Sequence, residues 1–318
     1  MQYRCAILDD YQNIALSLAD WPSLAPTVEV QVFDRPFAGS NEVKSALGKF
    51  HIVCAMRERT VFTRDVVEGL PDLKLLITTG MANKSIDLAA CKERGVVVCG
   101  TQGTGSPTVG IVFGLMLELT RRIGFESARM RAGEPWQVTI GPDLEGLTLG
   151  IVGLGKLGQR VAKVGKAFGM KTLAWSPNLT AEKAQAVDVE YAPKGDLLRR
   201  ADIVTIHMQL SERSTGLIGD ADLGLMKPLA YLINTSRGPI VDERALIAAL
   251  TGRRIAGAGL DVFNVEPVPL DHPFRKLDNV VMTPHLGYVS VQNYSRFFPD
   301  IVEDIRGFVD GKPVRVIV

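Results

Sequence analysis

The sequence has little that would tie it to a membrane or to nucleic acid. Its 318 residues include 36 Lys and Arg against 35 Asp and Glu, which gives a net charge of +1 without the basic clusters that favour nucleic acid as a partner. No apolar run is long enough to span a bilayer, and the first residues lack the apolar stretch of a signal peptide. We therefore expect a cytoplasmic protein with neither a nucleic-acid nor a membrane partner.

Cysteine is also scarce. The four thiols are scattered and show neither CxxC nor metal-ligand spacing: Cys5, Cys54, Cys91 and Cys99. We expect buried, reduced thiols rather than disulfides, and no bound metal. The composition, 46% hydrophobic and 22% charged, is that of an ordinary globular protein, and the length is sufficient for two domains.

The most informative stretch is a glycine turn between two apolar runs. Residues 147–152 form a β-prone run, GLGKLG follows, a helical pattern comes next, and residues 171–175 form a second β-prone run. In a dinucleotide site, Gly153 allows a tight turn, Gly155 lets backbone approach a pyrophosphate, and Gly158 lets the helix pack on the strand. The N–H groups at the helix start then face the anion. The stretch predicts dinucleotide binding.

Ser176 stands at the end of the second β-prone run, where an NAD-specific site usually carries Asp or Glu. A carboxylate there would repel the 2′-phosphate of NADP, whereas a serine would not. No Arg follows closely, and Lys183 is the nearest cation downstream. The sequence therefore predicts NAD or NADP as cofactor without deciding between them.

Short apolar runs alternate with helical patterns in the rest of the chain, which predicts parallel sheets covered on both faces. Further strands are predicted at residues 5–8, 28–33, 51–55, 73–77, 96–99, 203–207, 231–234, 256–260 and 280–282, with a possible last strand at 314–318. Helices are predicted at residues 11–19, 41–49, 63–69, 85–94, 108–131, 223–226, 242–250 and 291–309. The arrangement predicts two lobes, one of them built from the middle of the chain.

Three polar motifs follow predicted strands downstream of the glycine turn. Arg237 comes directly after an apolar run, Glu266 lies in DVFNVEP, and His285 lies in TPHLG. An arginine can bind a carboxylate with its fork of donors. A histidine exchanges protons near neutral pH, and a neighbouring carboxylate favours its imidazolium form. Taken singly, each residue has an ordinary alternative, as a surface ion-pair partner, a solvated loop residue or a structural histidine.

Four motifs in this order resemble one family, the D-isomer-specific 2-hydroxyacid dehydrogenases: GLGKLG, NTSRGPIVDERAL, GAGLDVFNVEP and NVVMTPHLGYVS. The resemblance covers nearly the whole chain. It implies an α/β protein of two lobes, in which a Rossmann-type, doubly wound coenzyme domain (residues 104–287) is inserted in a flavodoxin-like α/β substrate domain (residues 1–103 and 288–318). It also implies an NAD(P)-dependent oxidoreductase that acts on a small 2-keto or 2-hydroxy acid.

The resemblance further implies roles for particular residues. His285 matches the residue that gives a proton to the substrate carbonyl as hydride arrives from the nicotinamide, Glu266 its paired carboxylate, and Arg237 the residue that orients the keto acid. Backbone N–H groups of the loop at Gly80, Met81 and Ala82 would hold the substrate carboxylate. Cofactor contacts are implied at Gly153, Gly155, Lys156, Leu157, Gly158, Ser176, Met208, Thr235, Ser236, Asp261 and Gly287, with Asp261 at the carboxamide. A homodimer is implied through the helix after residue 108 and the arm that follows it.

The sequence departs from the family at three places. Ala82 replaces the usual glycine of the substrate loop, Lys84-Ser85 replaces a frequent Asp-Asn, and Gly110-Ile111 replaces a frequent Glu-His pair. These changes leave the substrate's side chain open. Two alternatives also stay open: a phosphite- or formate-type dehydrogenase, although formate enzymes carry Gln at the position of Glu266, and a dinucleotide-binding corepressor, which the neutral charge and the lack of low-complexity tails disfavour.

Overall fold

The computed structural model describes residues 2–105 and 107–318 and divides the chain into two compact units. The first unit combines Met1–Gly105 with Val289–Val318, and the second unit is Ser106–Tyr288. Each unit has its own sheet.

All the strands of both units run parallel to their neighbours. In chain order they are β1 (Tyr3–Ile7), β2 (Val28–Val32), β3 (Ile52–Ala55), β4 (Leu75–Thr78), β5 (Val97–Gly100), β6 (Thr148–Val152), β7 (Lys171–Trp175), β8 (Glu190–Tyr191), β9 (Ile203–Ile206), β10 (Tyr231–Asn234), β11 (Gly257–Leu260) and β12 (Val280–Met282). The first sheet has the order β2-β1-β3-β4-β5, as in flavodoxin. The second has the order β12-β11-β10-β9-β6-β7-β8, which contains the Rossmann order counted from β6. The predicted fold class is confirmed.

Helices connect these strands. They are α1 (Ser40–Leu47), α2 (Arg64–Glu68), α3 (Leu88–Glu93), α4 (Thr108–Arg121), α5 (Ile123–Arg131), α6 (Lys156–Ala167), α7 (Ala181–Gln185), α8 (Lys194–Arg200), α9 (Asp220–Leu223), α10 (Glu243–Thr251) and α11 (Val291–Val309). Short 3-10 turns lie at Ala15–Ser17, Trp21–Leu24, Gly238–Ile240 and Pro273–Lys276. Among the described residues, no helix combines the length and the apolarity that crossing a membrane requires.

Burial explains why the strands were visible in the sequence. Every residue of β3, β4, β9 and β11 is buried, because helices cover both faces of a parallel sheet. Such strands appear as continuous apolar runs rather than as alternating patterns. The four cysteines, in β1, β3, α3 and β5, are free, buried thiols, as their spacing predicts. The polar candidate residues lie in the loops that follow the strands.

Three predicted helices are wrong in extent. Over residues 11–19 the chain forms only the 3-10 turn Ala15–Ser17, since the Asp10 carboxylate accepts the N–H groups of Ile14 and Ala15 that a longer helix would use. The predicted helix over 108–131 is two helices, because Arg122 is left-handed with φ 48°. The short helix predicted over 223–226 instead ends at Leu223. The possible strand at 314–318 forms an isolated antiparallel bridge to β5, between Val316 and Cys99, in which the N–H of Ile317 donates to the carbonyl of Val98 at 2.7 Å.

Candidate active site

The glycine turn joins β6 to α6 at the carboxyl edge of the second sheet. Gly153 has φ 106°, and a Cβ there would lie 2.5 Å from the carbonyl oxygen of His207. A Cβ on Gly158 would lie 2.1 Å from the carbonyl oxygen of Gly153. Both positions exclude any larger residue, because the turn is tight and the helix packs directly upon it. These are the two structural roles that the motif predicts for its first and last glycines.

Gly155 differs from its neighbours because it borders open space. It is the N-cap of α6, a Cβ there would have no atom within 4 Å, and within the described parts of the chain no side chain caps the helix. Lys156 is exposed beside it and Leu157 is half-buried. The first-turn N–H groups of this twelve-residue helix thus face a cradle that a Cβ would begin to fill. This geometry fits the pyrophosphate of a dinucleotide.

Ser176 lies against the same turn. The Oγ of Ser176 accepts the N–H of Leu154 at 2.9 Å, and this hydrogen bond joins the end of β7 to the glycine turn. Met208 reaches the turn from the end of β9, with its Sδ 3.0 Å from the position of a Cβ on Gly153. The strands β6, β7 and β9 therefore bring all these predicted cofactor residues to one edge, as adjacent parallel strands must.

Two hydrogen bonds of the Asn234 side chain form a bracket that shapes the turn carrying Arg237. Asn234, the last residue of β10, is buried; its Oδ1 accepts the N–H of Ser236 at 3.0 Å, and its Nδ2 donates to the carbonyl of Arg237 at 3.0 Å. The Ser236 hydroxyl donates to the carbonyl of Ile206 at 2.7 Å. Arg237 itself remains half-buried and donates from Nη1 to the carbonyl of Ser236 at 2.7 Å. The bracket fixes the backbone from which the guanidinium projects.

Gly238 brings this turn against the next loop. A Cβ at Gly238 would lie 2.2 Å from the carbonyl carbon of Phe263 and 2.5 Å from the backbone nitrogen of Asn264. Only glycine allows the two backbones to approach so closely. Because Glu266 follows two residues after this contact, the approach places the Arg237 turn beside the loop that carries Glu266.

Glu266 and His285 form an ion pair. Oε2 of Glu266 is 2.7 Å from Nδ1 of His285, and the two side chains are 32% and 16% exposed. Burial opposes ionisation of Glu266, but the hydrogen bond and charge of His285, the N–H of Phe263 and the charge of Arg237 together hold the pKa of Glu266 below its ordinary value. The carboxylate is therefore ionised at neutral pH and bound at Nδ1, so Nε2 of His285 is the nitrogen available for a substrate.

Asp261 holds the turn on which His285 sits. It is fully buried, and its carboxylate accepts the Thr283 hydroxyl at 2.6 Å, the Leu286 N–H at 2.7 Å and the Gly287 N–H at 2.8 Å. Burial raises the pKa of Asp261 despite these donors and the nearby charge of His285. His285 is left-handed within this turn, with φ 53°. The strained backbone is thus fixed by three donors on one carboxylate.

Two buried polar atoms at this edge have no hydrogen-bond partner within the parts of the chain that the structure describes. They are Oγ1 of Thr235, which follows β10, and Nδ1 of His207, which follows β9. Burial lowers the pKa of His207 to about 3, so its imidazole is neutral, and its Nε2 lies 3.0 Å from Oγ1 of Thr205. Because buried polar atoms are nearly always satisfied, the two atoms indicate that a ligand or water completes this edge.

Comparison with known proteins agrees with this geometry. Residues 113–287 match the family model described as D-isomer specific 2-hydroxyacid dehydrogenase, NAD binding domain. The glyoxylate reductase of Korarchaeum cryptofilum is 37% identical over 255 residues, which cover 78% of this chain and 76% of that protein. The hydroxypyruvate reductase of Thermotoga maritima is 36% identical over 259 residues, which cover 80% and 83%. The crystal structure of phosphoglycerate oxidoreductase from Vibrio cholerae superposes with a TM-score of 0.92 at 32% identity, covering 98% of this chain and all of that one.

The chain belongs to the D-isomer specific 2-hydroxyacid dehydrogenase family. The resemblance stated from four motifs is confirmed, and with it the oxidoreductase class. In this 2-hydroxyacid dehydrogenase the second unit contains the NAD-binding domain of the family, and Arg237, Glu266 and His285 all lie in that unit.

The loop at residues 80–82 of the dehydrogenase lies in the first unit, after β4. Gly80 has φ 90°, and its N–H donates to Oγ1 of Thr101 at 2.9 Å. Asn83 closes the loop by donating from Nδ2 to the carbonyl of Arg57 and to Oγ1 of Thr78. Met81 and Ala82 are exposed, and the N–H of neither meets an acceptor in residues 2–105 or 107–318. The loop thus presents two unused backbone donors.

Several supporting residues of the dehydrogenase escaped sequence reasoning. Asn234 and Thr283 stand beside the predicted residues and serve them through hydrogen bonds, and the Thr108 hydroxyl donates to the carbonyl of Gly287 at 2.7 Å. Gly238 had a usable signal, since a glycine directly after Arg237 suggests a close backbone approach. Thr283 and Thr108 gave none, because their partners are remote in the chain, whereas Asn234 lies within three residues of its partners and is of a type common in turns.

Proposed function

We propose that this dehydrogenase reduces a small 2-keto acid to the 2-hydroxy acid with a nicotinamide dinucleotide, and catalyses the reverse reaction when the reactants favour it. The observation that carries the proposal is the Glu266–His285 ion pair at 2.7 Å with the charge of Arg237 acting on the same carboxylate. An acid, its orienting carboxylate and a cation for the substrate are the three groups that this chemistry requires of the protein.

Each group has a defined task in the reduction. Arg237 binds the keto acid through its fork of donors. His285 gives its Nε2 proton to the carbonyl oxygen, since Nδ1 is held by Glu266. Glu266 holds the imidazole at Nδ1 and so keeps it oriented until then. The bound nicotinamide supplies the hydride.

The residues assigned to the cofactor lie in the glycine turn and in the loops that follow β7, β9, β10, β11 and β12. We assign the pyrophosphate to the backbone of Gly155, Lys156 and Leu157, the adenosine ribose to Ser176, and the nicotinamide end to Met208, Thr235, Ser236, Asp261 and Gly287. Asp261 already accepts three hydrogen bonds, and a carboxylate has room for one more, as a carboxamide would need. Because Ser176 carries no charge, we infer that both NADH and NADPH are accepted.

A substrate panel tests this function. We expect at least one of glyoxylate, hydroxypyruvate, pyruvate and phenylpyruvate to oxidise the reduced cofactor, which is measured as a loss of its absorbance. The kcat/KM values with NADH and with NADPH should lie within about tenfold of each other, equivalent to about 1.4 kcal/mol, because Ser176 neither repels nor attracts the 2′-phosphate. Silence with every acid, while both cofactors still bind, would refute the dehydrogenase assignment and favour a binding role. A preference well beyond tenfold would refute the inference from Ser176.

We also propose that the dehydrogenase is a homodimer. Large apolar side chains stand exposed on α5 and on the segment after it: Ile123 at 56%, Met130 at 64%, Trp136 at 74%, Val138 at 51% and Ile140 fully. A clustered set of this kind marks a protein interface. We expect light scattering to give twice the 34.6 kDa chain mass, and Ile140→Asp with Trp136→Glu to give the chain mass. A monomeric wild-type protein at micromolar concentration would contradict the proposal.

A further inference from the structure

Tyr288 packs against the imidazole of His285. The ring centroids of Tyr288 and His285 are 5.5 Å apart with an interplanar angle of 74°, an edge-to-face arrangement. Glu266 contacts the same imidazole at Nδ1. Neither the motif reasoning nor the assigned cofactor and substrate contacts gives Tyr288 a role.

The contact with Glu266 does not by itself fix the imidazole. A single hydrogen bond defines the position of Nδ1, but the ring can still swing about that point, because the carboxylate group can follow by rotating about its own side-chain bonds. Such a swing would displace Nε2, the nitrogen assigned to the proton transfer. A second contact at another side of the ring is needed to hold Nε2 in one place, and proton transfer is sensitive to such a displacement.

The backbone delivers the Tyr288 ring from a rigid point. Gly287, the preceding residue, has both of its backbone groups engaged: its N–H donates to Asp261 at 2.8 Å, and its carbonyl accepts the Thr108 hydroxyl at 2.7 Å. The same Asp261 holds Leu286. His285 and Tyr288 are thus mounted on one turn whose backbone cannot shift one without the other. Edge-to-face packing of the two rings then sets their mutual orientation.

We propose that Tyr288 is a positioning residue, whose aromatic ring holds the imidazole of His285 in the orientation that directs Nε2 toward the substrate carbonyl. The inference rests on the proposed function, in which His285 is the proton donor. The ring, not the hydroxyl, performs the task, so a phenylalanine is an adequate replacement and an aliphatic residue is not.

The kinetic test compares Tyr288→Leu with Tyr288→Phe. We expect Tyr288→Leu to lower kcat by about tenfold, equivalent to about 1.4 kcal/mol, with the dissociation constant of NADH and the melting temperature nearly unchanged. We expect Tyr288→Phe to retain most of the activity. Tyr191→Leu, at the opposite end of the second sheet, is the matched control and should leave kcat unchanged. An unchanged kcat in Tyr288→Leu, or an equal loss in both Tyr288 variants, would overturn the proposal.

An NMR measurement separates this inference from the function on which it rests. The protein has only four histidines, so the imidazole C–H signals can be assigned by substitution. We expect Tyr288→Leu to shift and broaden the His285 signal, because a neighbouring ring current is removed and the imidazole becomes mobile, while Tyr288→Phe keeps it sharp. If the wild-type protein reduced no keto acid, the proposed function would fail; an unaltered His285 signal in Tyr288→Leu would instead overturn the contact itself.

Discussion

Replacement of His285 by Ala should lower kcat for keto-acid reduction by about a thousandfold, in the range that a lost general acid commonly costs. Glu266 holds the imidazole at Nδ1, and the substitution removes Nε2, the assigned proton donor. The glycine turn makes no use of His285, so the dissociation constant of NADH, followed by its fluorescence, should change by less than about threefold, or about 0.7 kcal/mol.

The chain offers a matched control for this experiment. His272 in the second unit also faces a glutamate, with Nε2 3.5 Å from Oε1 of Glu243, but it belongs to the 3-10 turn at Pro273–Lys276 rather than to the site. His272→Ala should keep wild-type kcat. If His285→Ala and His272→Ala behaved alike, or if His285→Ala lost cofactor binding as severely as turnover, the assigned role would be wrong.

Glu266→Gln would extend the result with a pH dependence. The pKa of Glu266 lies below its ordinary value, so the carboxylate is ionised and bound to Nδ1 of His285 at neutral pH. In the wild type we expect kcat to fall at acidic pH as Glu266 is protonated, whereas Glu266→Gln should show a lower kcat throughout and no such acidic limb. The same acidic limb in both proteins would contradict the role given to Glu266.

Gly155→Val should abolish useful cofactor binding while the protein stays folded. Gly155 has φ −79° and ψ −163°, values that any residue adopts, and no atom lies within 4 Å of a Cβ there, so the valine fits the apoprotein. Its methyl groups would occupy the cradle before the first-turn N–H groups of α6. We expect the NADH dissociation constant to rise at least about a hundredfold, equivalent to about 2.7 kcal/mol, with little change in melting temperature.

Gly219→Val is the corresponding control. Gly219 is also the N-cap of a helix in the second unit, α9, with extended backbone, and the nearest atom to a Cβ there is 3.8 Å away. This variant should bind NADH as the wild type does. Tight binding of NADH by Gly155→Val would show that the dinucleotide phosphates lie elsewhere.

The sequence by itself determined the class of fold and the chemistry of the candidate residues. Buried parallel strands must be apolar on both faces, so the sequence shows continuous apolar runs at β3, β4, β9 and β11. The spacing of the motif predicted the roles of Gly153 and Gly158, and the structure agrees, because the turn excludes a Cβ at both positions. Local steric requirements of this kind are written into neighbouring residues, and a sequence displays them directly. The roles given to Arg237, Glu266 and His285 remain predictions.

Tertiary structure decided everything that depends on remote partners. Only the folded chain shows that Asp261 fixes the His285 turn, that Gly238 lets two loops touch, and that Tyr288 packs on the imidazole. It also overturned the helix over residues 11–19, where Asp10 captures N–H groups that local propensity assigned to a helix. Asp261 and Gly238 meet partners that the strand order brings to one sheet edge, and strand order is not a property of any short stretch of sequence. Tyr288 and Asp10 contact residues that are near in the chain, but these contacts are set by the backbone geometry of the folded turns.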